Sequence, residues 1–318
     1  MSALYDHLAA FDAAAWQRAV AALAAEIHPI DREAMVIWFA FYPLELHLAL
    51  SGADDAAATA RRLGLMGRWR LADQIDSSHR FLYAHRYWPQ VKLAVQNAEP
   101  PFPDDLAALA STVAVAAARR ARCDREFLLG IAAAGLMTYR QVGADAFAAA
   151  PGRIHLSEKA RAMSPHQVMK KRARDDSQGL FGFLRGTNKR WTITFDESDP
   201  AATFTAINGQ ELASAAQTDK RDYRSRDARC IPGEGPIPVE CRAASCGMCW
   251  VGVLGGADKL SPVVDRDERR PMAVFGYTDS RDDRPVIRLA CQAKAFGAVS
   301  IVIPPWNGLI GSRRGWRR

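Results

Sequence analysis

A chain of 318 residues with 49% hydrophobic residues is long enough for two folded domains and apolar enough to bury a core in each. That balance excludes a disordered, collagen-like or disulfide-framework protein. The formal net charge of +7 is unevenly spread: residues 1–150 carry 14 Lys and Arg against 16 Asp and Glu, residues 151–186 carry 8 against 3, and residues 187–318 carry 20 against 16. The positive excess in the middle and C-terminal parts favours acidic partners, nucleic acid or an anionic membrane surface, without choosing among them.

Residues 1–25 lack a basic segment followed by a continuous apolar run, so no secretory signal is read there. The most apolar stretch, AMVIWFAFYPLELHLAL at 34–50, contains Pro43, Glu45 and His47. It falls short of the ~18 uninterrupted apolar residues of a spanning helix and reads as a buried helix. A cytoplasmic location is the expectation, with membrane association through a complex as a further option. Cysteines there bind metal or do redox work more often than they pair.

Residues 1–150 read as helix throughout. Ser2 caps a first helix to about Ile27, Pro29 breaks it, and Asp31 caps a second across 32–50. Helical patterning resumes over 56–65 and 67–97. EPPFPDD at 99–105 interrupts it, Asp104 or Asp105 caps the alanine-rich 106–121, and a further helix runs from about Asp124 to Tyr139. Abundant alanine and few β-branched runs suit close helix packing. The expectation is an all-α domain of about six helices. Residues 151–189 mix basic residues with glycine and read as a linker or docking arm, with Leu180, Phe181, Phe183 and Leu184 as apolar anchors.

From Arg190 the period changes to two. RWTITFDES alternates Trp191, Ile193 and Phe195 with polar residues, as a half-buried strand does. TFTAING at 203–209 reads as a second strand ending in a turn, and QELASAAQ as a short helix. WVGVL, PVIRLACQ and GAVSIVIP are further strands. The whole predicts an α plus α+β chain with domains at 1–150 and 190–304. A basic aromatic tail, 305–318, carries two tryptophans and four arginines suited to an acidic partner or an anionic headgroup layer.

CRAASCGMC at 241–249 carries the chemistry. With the distant Cys291 it makes C-x4-C-x2-C, 41 residues, then C: Cys241, Cys246, Cys249 and Cys291. Two iron atoms bridged by two sulfides need four thiolates, two for each iron. Three ligands in one loop let that loop wrap a cluster with backbone N–H groups turned to the sulfurs. Ala243, Ala244, Ser245 and Gly247 leave room for the turns. A zinc ribbon prefers two C-x2-C knuckles, and only one is present. A thioredoxin-type pair would leave Cys241 and Cys291 unexplained.

VECRAASCGMCWVGV together with IRLACQA resembles the plant-type [2Fe–2S] ferredoxins, over residues 190–304. The resemblance implies a β-grasp fold and one-electron transfer, with the four cysteines binding the [2Fe–2S] cluster as its iron ligands. Arg242 matches an arginine often found after the first ligand. A plant-type environment implies a potential on the order of −400 mV. The chain differs from the short photosynthetic members in three ways: a longer gap before Cys291, a polar stretch at 218–240, and a positive rather than acidic domain.

Elsewhere no dinucleotide-binding G-x-G-x-x-G, P-loop or second cluster motif occurs. Glu26, His28, Asp31, Glu33, Glu45, His47, Asp73, Asp76, His79 and His85 are weighed as a metal or haem site, and read more simply as ion pairs and satisfied polar groups. The aromatic-basic SSHRFLYAHRYWPQVK at 77–92 reads as a core-facing stripe, with a partner surface as the alternative. MTYRQVGADAF at 137–147 is a faint helix-turn-helix pattern. The expectation is therefore an electron-transfer protein, a subunit or dedicated donor or acceptor of a larger redox complex. Its redox partner carries an acidic surface, and nucleic acid is not expected. The alternatives are an iron–sulfur redox-sensing regulator and an oxidoreductase component with a second metal or haem in its helical domain.

Overall fold

The computed structural model describes residues 2–175, 189–263, 268 and 285–308. The helices in chain order are α1 (Ala3–Ala9), α2 (Ala13–Leu23), α3 (Arg32–Phe41), α4 (Leu44–Ser51), α5 (Ala56–Arg62), α6 (Trp88–Gln96), α7 (Leu106–Ala121), α8 (Arg125–Val142), α9 (Ala144–Ala149), α10 (Glu158–Ala162), α11 (Pro165–Lys171) and α12 (Leu212–Ala216). The strands are β1 (Met66–Gly67), β2 (Arg190–Thr194), β3 (Thr203–Ile207), β4 (Gln210–Glu211), β5 (Trp250–Gly255), β6 (Ile287–Leu289), β7 (Lys294–Ala295), β8 (Val299–Val302) and β9 (Trp306–Asn307). A helical N-terminal part and a mixed sheet in the C-terminal part make the chain α plus α+β.

Two compact units result. One holds Met1–Ser51 and Arg70–Pro165; the other holds Gly52–Trp69 and His166–Arg318. The segment 52–69, expected within the helical domain, thus groups with the sheet.

In the helical unit, α8 is the central element. Every residue from Leu128 to Tyr139 is buried, the mark of a helix enclosed on all sides. It packs against α1, α2, α3, α6, α7 and α9. Gly135 admits the neighbours: a Cβ there would lie 3.4 Å from both Trp88 and Val95. The side chains of Ser2 and Asp105 cap α1 and α7 as expected. Two expectations need correction. The first helix is split, because Asp12 caps a new start by accepting from the Ala15 N–H at 2.7 Å. The 32–50 helix is split at Pro43, whose ring cannot continue the ladder. Arg32–Ser51 has the length and hydropathy of a membrane-crossing helix by composition, yet Ala34, Met35, Ile37, Trp38 and Phe41 are buried in the unit's core.

The expected helix over 67–97 forms only at α6. Residues 71–87 are turns and two 3-10 segments, Leu71–Gln74 and Tyr83–Tyr87. A distant carboxylate satisfies part of this irregular backbone. Asp31, 1% exposed, accepts from the N–H groups of Tyr83 at 2.6 Å and Ala84 at 2.8 Å. It does not cap α3 with its side chain.

In the sheet unit the strand order is β3-β2-β8-β5-β6. β2 runs antiparallel to β3 and parallel to β8, and β5 is antiparallel to β8 and β6. Trp191, Ile193 and Phe195 are buried, as their alternation requires. α12 packs on β3. Two short ribbons, β4–β7 and β1–β9, complete the unit.

The linker 151–189 is structured where it is described. Arg86 donates to the carbonyls of Arg161 at 2.8 Å and Met163 at 3.0 Å. Arg172 makes a two-point ion pair with Glu197 at 2.8 and 2.9 Å. Asp175 accepts from the Ala298 N–H at 2.6 Å, and Lys259 donates to the Ala173 carbonyl at 2.7 Å. The anchors Leu180, Phe181, Phe183 and Leu184 lie outside the described residues, as does the tail from 309 onward. Within 305–308 the tail is core: Trp306 is 1% and Asn307 0% exposed.

Candidate metal centre

The loop between α12 and β5 gathers three of the four cysteines, and the turn after β6 brings the fourth. Cys249 and Cys291 are buried, and Cys241 and Cys246 are half-buried. The thiols influence one another's protonation in two pairs: Cys241 with Cys246, and Cys249 with Cys291. β5 and β6 make the second pair possible. Trp250 pairs with Leu289, and the Ala290 N–H donates to the Cys249 carbonyl at 2.9 Å, so the two chain segments enter the site side by side.

The loop is tightly wound. Arg242, Ala244 and Gly247 have φ of 54°, 57° and 68°. Left-handed backbone costs an ordinary L-residue roughly 1–2 kcal/mol, so the winding at Arg242 and Ala244 needs compensation. It turns successive N–H groups inward. Ala243 N–H donates to Cys241 Sγ at 3.4 Å, Met248 N–H to Cys246 Sγ at 3.5 Å, and Cys291 N–H to Cys249 Sγ at 3.4 Å. The Gln292 amide donates to Cys291 Sγ at 3.4 Å and to the Arg242 carbonyl at 3.5 Å. Ala243, Ala244 and Ser245 are therefore more than small: their N–H groups act on Cys241 and Cys291.

Within each pair the surroundings push one thiol down and its neighbour up. Burial raises Cys241, but the Ser245 hydroxyl and the N–H groups of Ala243 and Ser245 outweigh it and bring it down to about 7. The hydrogen bond from Cys249 brings Cys291 down to about 6 against its burial, helped by Gln292. Cys249 is pushed well up by that same bond and by burial. Cys246 is pushed up by burial first and by Cys241 second. Cys241 and Cys291 are the two thiols that lose a proton most readily, and a thiol must lose its proton to bind a cation. Among the described residues, no three or more His, Cys, Asp or Glu side chains are grouped to hold a single ion.

Two features near this loop escaped sequence reasoning. The polar segment 218–240 is stapled by Asp-x-Arg pairs: Asp219–Arg221, Asp222–Arg224 and Asp227–Arg229, each at 2.6 Å. Arg226 reaches back to Asp196 and Asp199. The repeated D-x-R spacing was the available signal. The second is a buried ion pair, Arg288 with Glu268 at 2.7 Å.

Family models, curated proteins and solved structures contain no match to this chain.

The other candidates have local roles. Asp73 pairs with Arg70 at 3.1 Å, and Glu26 with Arg125 at 2.7 Å. Asp76 is occupied by the Trp88 indole N–H at 2.8 Å and the backbone of Gly152 and Arg153. His28 stacks on Phe127 with ring centroids 4.3 Å apart. His79 and His85, 0% and 1% exposed, meet each other through Nδ1 at 3.0 Å. Met137, Thr138, Tyr139 and Phe147 of the helix-turn-helix pattern are buried, and α9 contains no basic residue. Cys230 is buried with its thiol against the Pro236 carbonyl, and burial pushes it up to about 11.

Proposed function

We propose that the sheet unit is a β-grasp domain of the plant-type ferredoxin kind and that the protein transfers single electrons through a [2Fe–2S] cluster. The observation that carries this reading is that backbone N–H groups of two distant chain segments are turned to the sulfurs of Cys241, Cys246 and Cys249, with Cys291 brought beside Cys249 by its own N–H bond to that sulfur. A two-iron centre asks for two pairs of thiolates. The strand order, with the last long strand central and parallel to the first, supports the β-grasp assignment.

When bound, the cluster supplies a one-electron couple. The chain holds it and sets its surroundings. Cys241 and Cys246 would hold one iron near the surface, and Cys249 and Cys291 the other inside. N–H groups directed at the sulfurs favour the more negative, reduced state. Electrons enter and leave on the half-buried side, where Arg242, Ala243 and Ser245 are exposed. An arginine at that rim, in a positive domain, suits a redox partner with an acidic surface. Such a partner belongs to a larger complex more naturally than to a freely diffusing pair.

Anaerobic purification with iron and sulfide analysis tests this. Two irons and two sulfides per chain are expected, with visible absorption that bleaches on dithionite. Cys291→Ser should lower cluster content by more than half and alter the spectrum of what remains. A wild-type chain without sulfide or cluster absorption after reconstitution would sink the reading.

A further inference from the structure

The ribbon β1–β9 lies against the loop that carries the cysteines. Met66 pairs with Asn307 and Gly67 with Trp306, and the Arg68 N–H donates to the Pro305 carbonyl at 2.8 Å. The approach is close enough to require glycine in β1 and directly after β9. Gly67 has φ +87°, and a Cβ there would sit 2.4 Å from the Pro305 oxygen. A Cβ on Gly308 would meet Leu65 Cδ2 at 2.8 Å and the Gly64 and Leu63 carbonyls at 3.1 Å. These contacts fix β9, and both its residues act on the loop. The Asn307 side-chain amide donates to the Met248 carbonyl, one residue before Cys249. The Trp306 ring meets Trp250, one residue after Cys249, edge-on with centroids 5.3 Å apart. The Asn307 Oδ1 is buried without a partner among the described residues. An amide held for one bond while its oxygen stays unsatisfied is in a costly position, and the position makes sense if the Met248 bond matters.

We propose that residues 63–68, far from the cysteines in sequence, are a positioning element of the cluster site: with β9 they clamp Cys249 from both sides, Asn307 and Trp306 transmitting the constraint. The inference deepens the cluster reading and rests on it for its redox consequence. The constraint on the loop itself is testable without a cluster. The chain leaves the helical unit at Ser51 and returns to it at Arg70.

The test compares wild type, Asn307→Ala and Gly67→Ala in the full chain. Hydrogen exchange of the 241–250 peptide, followed by mass spectrometry, reads the loop directly. Both variants should exchange there about five- to tenfold faster, as the loss of one buried hydrogen bond on a local opening predicts, while α7 and α8 peptides stay unchanged. On reconstituted protein the reduced-state g values and the midpoint potential should shift in both variants. Asn307→Gln, which keeps a donor, should fall between Asn307→Ala and wild type. Asn307→Ala removes only side-chain atoms and decides the matter where Gly67→Ala unfolds the unit. Unchanged loop exchange in Asn307→Ala overturns the proposal. A wild type that takes up no cluster sinks the electron-transfer reading instead, with the exchange result still judging the clamp.

Discussion

Glu268 and Arg288 show what one buried pair can decide. Their side chains are 2% and 1% exposed, and Glu268 also accepts from the Leu289 N–H at 2.9 Å while Arg288 donates to the Ser261 carbonyl. Glu268→Ala would strand a guanidinium inside the unit, at a cost of about 3–5 kcal/mol. The double change Glu268→Leu with Arg288→Met should cost much less, and chemical denaturation of the sheet unit distinguishes the two. His79 and His85 make a different prediction. Burial, then the neighbouring His85, pushes His79 well below its usual value; burial, then His155 and Arg80, brings His85 to about 4. The unfolded chain takes up protons below about pH 6.5 while the folded unit does not. Stability is therefore full above that pH and falls between about 6.5 and 4, by roughly 2–3 kcal/mol for His85 alone. Denaturation across this range should show a shallower dependence in His85→Asn. Cys241, Cys246 and Cys249 were legible as a set because their spacing is fixed by a short loop. Glu268 was not, because nothing local pairs it with Arg288.

Elements whose faces repeat over several turns or strands were readable. α7 and α8, and the β2–β3 hairpin, follow from apolar spacing and from Asp105 and Asp124 at their starts. Elements stabilised from outside were not. Residues 71–87 have helix-like composition, yet Asp31 binds the backbone N–H groups of Tyr83 and Ala84, and Asp76 ties the segment to Trp88, Gly152 and Arg153. β1 is two residues long and carries no period at all. The Asp-x-Arg staples belong to this scale. Arg229, 4% exposed at its side chain, pairs with Asp227 at 2.6 Å and donates to the Pro304 carbonyl just before β9. Arg229→Ala should leave that carbonyl unpaired and cost about 2–3 kcal/mol. Urea melts of the full chain, read by tryptophan fluorescence, should show the sheet-unit transition moved to lower urea.

At the scale of the molecule, two units with separate cores should unfold in separable steps. A group that binds only the folded sheet unit stabilises only that step. Calorimetry of cluster-loaded and cluster-free chain should move one transition and leave the helical one in place. A fragment beginning at residue 166 lacks β1 and Leu65, so it should melt below the sheet-unit transition of the intact chain.

The sequence by itself determined the thiols, the alternation of the long strands and the division into helical and mixed parts. These properties are local, repeating every two or about four residues or confined to one loop. Only the tertiary structure decided which thiols pair, that Trp306 is core rather than tail, and that 52–69 joins the sheet. Each depends on groups that meet only after folding: β5 beside β6, β1 beside β9, and a carboxylate beside amides some fifty residues away.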